Sequence, residues 1–182
     1  CNPDCLNICI KKKINKNSVL VNKAISETNG LVEFFPFDIQ KYNNMGASSM
    51  LKIDFSDRHI LDPDYNIPNP QKKIYVDGIR LDTFIEKTKI KAVDLLCIDL
   101  QGYELNALKS LGEHLHNIKY IITECSIQST YVGGCSFDEL HTYLKKYNFK
   151  YMCSNKFKYS FPNVELNGFS EFDSLFIHNS MM

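Results

Sequence analysis

The chain has 182 residues, 44% hydrophobic and 23% charged, enough for one domain to bury its own core without disulfide or metal staples. Lys plus Arg and Asp plus Glu both number 21, so the chain is formally neutral and carries no overall field for a nucleic acid. No apolar run approaches the roughly 18 residues that span a bilayer, and the polar start has no signal-peptide core, so a cytoplasmic protein without membrane or nucleic-acid partners is expected.

Asn2-Pro3 reads as a helix start, with Cys5, Leu6, Cys9 and Ile10 on its inner face and Lys11 to Lys13 near its end. "SVLVNKAI" (18–25) and "LVEFFPF" (31–37) read as strands joined through an Asn29-Gly30 turn. "GASSM" (46–50) suggests a turn and "LKIDF" (51–55) a further strand, followed by an irregular loop or insertion over 56–73. "IYVDGIRLDTFIEK" (74–87) predicts a short strand, a turn at Asp77-Gly78 and a helix from Asp82.

The second half is more regular. A strand over 93–99 leads into a helix from about Gly102, with Leu105, Leu108, Leu111 and Leu115 as its apolar stripe. "IKYIITECS" (118–126) is a second apolar strand, and "SFDELHTYLKKY" (136–147) carries a capping box at Ser136 and Glu139. Two strands, "FKYMCS" (149–154) and "DSLFIHN" (173–179), close the chain around a long loop. The alternation predicts a single α/β domain over 1–182, its sheet covered by helices on both sides.

Seven cysteines is an odd number, and Cys97, Cys125 and Cys153 fall inside apolar strands, which favours buried reduced thiols. Cys1, Cys5 and Cys9 have three residues between each pair, a spacing of no common zinc site, so no metal is expected there.

In open α/β sheets, ligands bind outside the carboxyl ends of the strands. Asp99 and Glu124 each stand at such an end, and Glu104 opens the helix after the first of them. If the two strands are neighbours, both acids face one crevice. Asp99 would otherwise cap the following helix, and Glu104 would simply favour its dipole. Three clustered acids would alternatively hold a divalent cation.

The runs "AIS" with "NG" (24–30), "GASSM" (46–50), "RLDTFI" (80–85) and "DLLCIDLQGYELNAL" (94–108) resemble the FkbM family of methyltransferases. The resemblance covers most of residues 1–155. It implies a Rossmann-like class I sheet, mostly parallel with an antiparallel C-terminal strand, and S-adenosyl-L-methionine as methyl donor. It also implies O-methylation of a hydroxyl on a small-molecule or glycan acceptor. A catalytically inactive, methyltransferase-like binding or scaffold module is the alternative.

By position, the resemblance puts Asp99 and Glu104 on the acids of the strand-four motif, Gln101 where many members have Glu, and Glu124 on an acid closing the next strand. Asn2, Ala24, Ile25 and Asp99 would then lie along the cofactor, and Ser48, Ser49 and Gln101 toward the acceptor. "CNPDC" resembles a segment that usually follows a ribose-binding Glu, which would fall ahead of Cys1. The N-terminal strands and glycine-rich turn of such a domain are therefore expected to be missing.

Overall fold

The capping box at Ser136 forms. The Ser136 hydroxyl accepts the Glu139 backbone N–H at 3.3 Å, and the Glu139 carboxylate accepts the Ser136 N–H at 2.9 Å. Two of the orphan donors of a helix start are satisfied this way.

The computed structural model describes residues 2–12, 17–37, 45–54, 71–154 and 171–182. In chain order the elements are α1 (Pro3–Lys11), β1 (Ala24–Ile25), β2 (Gly30–Phe34), β3 (Ile74–Ile79), α2 (Leu81–Thr88) and β4 (Val93–Ile98). There follow α3 (Glu104–Lys109), β5 (Ile118–Ser126), α4 (Phe137–Lys146), β6 (Phe149–Ser154) and β7 (Glu171–His178). The strands form a three-stranded sheet, β1-β3-β2, and a four-stranded sheet, β4-β5-β7-β6.

The fold is α/β, but its sheets are mixed rather than mostly parallel. β1 runs parallel to β3 and β4 to β5, whereas β2–β3, β5–β7 and β6–β7 are antiparallel. Helices cover one face of the larger sheet among the described residues, not two. Ile121, Thr123, Cys125, Phe172, Ser174 and Phe176 are buried on that face. Leu108, Leu111, Leu115, Phe137, Leu140 and Leu144 pack into the same core. The strands alternate, so Leu95, Cys97, Tyr120, Ile122 and Glu124 point the other way. Leu95 and Cys97 are exposed there, on the outermost strand of this sheet among the described residues.

Several expectations change for physical reasons. Only Ala24–Ile25 of residues 18–25 is strand. Val19 is 88% exposed, and an apolar run forms a strand only when a neighbour takes its hydrogen bonds. Asp77-Gly78 is not a turn but lies inside β3. A Cβ at Gly78 would come within 2.9 Å of both Val32 γ-carbons and 3.0 Å of Ser26 Oγ. Glycine is there for close packing.

Residues 51–54 contribute an isolated bridge, Ile53 to Tyr131, rather than a strand. Ile10 is 64% exposed, so it leaves the inner face assigned to α1. Of the three strand cysteines only Cys125 is buried, since Cys97 and Cys153 sit on edge strands. Residues 56–70 of the expected insertion, and Cys1, lie outside the described residues. Gln71, at its end, is tied in: its amide donates to Phe35 O and Leu51 O and accepts from the Ile53 N–H.

Candidate active site

β4 and β5 are parallel neighbours, and their register ends at Ile98 opposite Thr123. One residue further on, Asp99 and Glu124 stand side by side on the face away from α3 and α4. The chain then leaves β4 through two left-handed residues, Gln101 at φ 56° and Gly102 at φ 90°. Gly102 tolerates this conformation, and the next turn starts α3.

Glu104 holds that turn together. Its Oε1 accepts the backbone N–H groups of Leu100 at 2.8 Å and Gly102 at 3.2 Å. The side chain is buried, and burial pushes its pKa above the ordinary carboxylate range. These partners make Glu104 a brace of the strand-to-helix turn. Asp99 does not cap α3: Tyr103 is the residue ahead of that helix, and no side chain caps it.

Gln101 joins the two remaining acids. Its Nε2 donates to Asp99 Oδ1 at 2.7 Å and to Glu124 Oε2 at 2.8 Å. Carboxylate oxygens of Asp99, Glu104 and Glu124 lie within 4.8 Å of one another. The Gln101 amide bridges Asp99 and Glu124, where a shared cation would have to sit.

Glu124 carries the largest electrostatic consequence. Burial raises its pKa to about 8, with further pressure from the charges of Asp99, Glu171 and Glu104. A carboxyl tuned this close to neutrality is suited to accept and release a proton at working pH. It lines a cleft with Gly102, Ser129, Thr130, Tyr131, Cys135 and Glu171. The cleft is shallow and open to solvent, its empty volume of about 260 Å³ including the solvent at its mouth.

The other residues singled out in the sequence divide. Ser49 is buried beneath the turn, its hydroxyl donating to Gln101 O at 2.8 Å and accepting from the Leu51 N–H at 3.0 Å. Ser48 accepts from the Phe37 N–H at 3.1 Å and from the Asn2 amide at 3.2 Å. Both serines therefore fasten the 45–51 segment. Ala24 and Ile25 lie in the smaller sheet, and among the described residues no hydrogen bond joins them to the acids. Nearby, the Glu27 carboxylate accepts from Asn106 of α3 at 2.8 Å.

Tyr131 and Glu171 were not anticipated. Tyr131 lies in the segment between β5 and α4, beyond a strand carboxyl end, which was the available signal. Glu171 opens β7 opposite Ser126, a pairing that only strand order reveals.

A model described as the methyltransferase FkbM domain matches residues 2–151. Over 118 residues the chain is 28% identical to the 2-O-methyltransferase NoeI of Sinorhizobium fredii. That stretch is 63% of this chain and 46% of the relative, so the chain spans less than half of the curated protein it matches. No solved structure matches it. With a family model covering most of its length and the paired acids standing at the ends of β4 and β5, the chain belongs to the methyltransferase FkbM domain family.

Proposed function

We propose that this chain forms the acceptor side of an S-adenosyl-L-methionine-dependent O-methyltransferase, acting on a hydroxyl of a sugar, lipid or other small molecule. Family membership and the 2-O activity in the relative's name support the reaction class. The antiparallel β7 beside β5 supports a class I, Rossmann-like sheet. No described helix is long and apolar enough to cross a membrane.

The observation that carries the proposal is the Asp99–Gln101–Glu124 bridge at the strand ends. A neutral hydroxyl must lose its proton as its oxygen becomes bonded to carbon. Glu124, held near neutrality beside an open cleft, is the group to take it. Asp99 and Gln101 orient it.

The residues assigned to the cofactor fit it incompletely. Asn2 and Ala24 are 6% and 3% exposed, and the Asn2 amide is engaged with Ser48, so neither offers an open surface to a nucleoside. Asp99 is exposed and Ile25 half-buried. S-adenosyl-L-methionine supplies an electrophilic methyl group, and this chain's part is to place the acceptor and receive its proton.

The test is methyl transfer from labelled S-adenosyl-L-methionine by the intact protein to a panel of sugar and lipid alcohols. Asp99→Asn and Glu124→Gln should each lower turnover by about 10²-fold or more with the fold retained. Wild-type turnover in both variants would remove the acids from catalysis. Acceptor binding without transfer would favour the inactive binding module.

A further inference from the structure

Tyr131 lies 30 residues from Gln101 in the chain, yet its hydroxyl meets the Gln101 Oε1 at 2.9 Å and Ala47 O at 3.1 Å. Its ring is fixed from several sides. It packs in a buried cluster with Phe37, Ala47 and Ile53. The flanking backbone is pinned by the Val132 N–H to Lys52 O and the Asp54 N–H to Thr130 O, both at 2.8 Å. Across the ring, a Cβ on Gly102 would stand 3.0 Å from Tyr131 Cβ and Cδ2, so the turn carrying Gln101 lies directly against it.

This arrangement decides which way the Gln101 amide points. An amide oxygen can only accept and its nitrogen can only donate, while an ionised carboxylate only accepts. The single tyrosine hydroxyl proton is shared between two accepting oxygens, Gln101 Oε1 at 2.9 Å and Ala47 O at 3.1 Å. Directed to the nearer Gln101 oxygen, it turns both amide N–H groups toward Asp99 and Glu124. The opposite orientation would set the amide oxygen against the oxygens of each carboxylate that is ionised.

We infer that Tyr131 is a positioning residue, whose hydroxyl locks the Gln101 amide so that its N–H groups stay on Asp99 and Glu124. The inference rests on the reading that these acids serve the acceptor. Its physical content is separate, because hydrogen bonds to a charged carboxylate favour that charged form. The groups facing Glu124 are Asp99 from β4, Glu104 from α3, and Glu171 and its cross-strand partner Asp173 from β7. Cys125 and Cys135 lie in the same cleft. Against this acidic surround, the Gln101 amide places an N–H on the Glu124 carboxylate at 2.8 Å, and Tyr131 keeps it aimed.

The experiment needs neither acceptor nor methyl donor. The intact protein is labelled with [5-13C]glutamate and the carboxyl signals followed against pH, with the Glu124 signal identified by its loss in Glu124→Gln. Tyr131→Phe keeps the ring and removes one oxygen. It should raise the Glu124 midpoint by up to about one pH unit, the limit reached if the freed amide no longer donates to the carboxylate. Gln101→Asn keeps an amide that tolerates the left-handed backbone but is too short to span both acids and Tyr131. It should raise the midpoint at least as far, and the double variant should match Gln101→Asn alone. An unmoved midpoint in either folded single variant, or additive shifts in the double, would overturn the inference. If Tyr131→Phe fails to fold, the Gln101→Asn titration decides alone. Failure of the methyltransferase reading would show instead as absent methyl transfer with these shifts intact.

Discussion

Replacing Glu124 by glutamine should stabilise the protein progressively as pH rises. In the wild type, folding lifts the Glu124 pKa from 4.5 to about 8, so the folded state binds its proton more tightly than the unfolded chain. For an acid shifted upward, stability is greatest below the unfolded value. It is lost as pH climbs from 4.5 toward the folded value, and then levels off. The limiting slope is about 1.4 kcal/mol per pH unit, so between about pH 5 and 8 the bound is roughly 4 kcal/mol. Glu124 is only half-buried and the cleft admits water, so we take about half of that, roughly 2 kcal/mol. Glutamine does not titrate, and comparing the two proteins at each pH cancels any fixed cost of the exchange. Urea unfolding of the intact protein at about pH 5, 6.5 and 8 measures the gap, read as midpoint times slope. A gap between variant and wild type that stays constant to within about 0.5 kcal/mol would refute the reasoning, because Glu124 would then ionise alike in both states.

Two further substitutions test the supports of the site. Gly102→Ala forces a Cβ onto a residue at φ 90° and to 3.0 Å from Tyr131, so a loss of about 1–3 kcal/mol is expected in urea unfolding, together with lower turnover. Ser136→Ala removes one half of the α4 capping box and should cost about 1 kcal/mol in the same assay while leaving the Glu124 titration unchanged.

The signals that were legible in the sequence are those in which neighbouring residues satisfy one another. The capping box needs only Ser136 and Glu139, so α4 could be placed without its partners. β5 was bounded at residues 118–126 because its length, flanks and branched side chains decide it locally. The acids at the ends of β4 and β5 were visible for the same reason. Their meeting required only that the strands be parallel neighbours.

Tertiary structure decided everything that depends on a distant chain. Asp77-Gly78 has the composition of a turn, yet it runs straight because Val32 and Ser26 press on the glycine from either side. Residues 18–23 have the composition of a strand but pair with no neighbouring strand among the described residues. Glu104 reads in the sequence as the acid that opens a helix, and only the folded turn brings two backbone N–H groups onto its oxygen. Glu124 and Tyr131 show the limit most clearly. An isolated glutamate and an isolated tyrosine carry no mark of their roles. One acquires its raised pKa from the burial and neighbouring charges that β7 and β4 bring. The other acquires a partner 30 residues away because Gly102 lets two backbones close on its ring. Proton affinity and amide orientation are properties of surroundings, and no stretch of sequence contains its own surroundings.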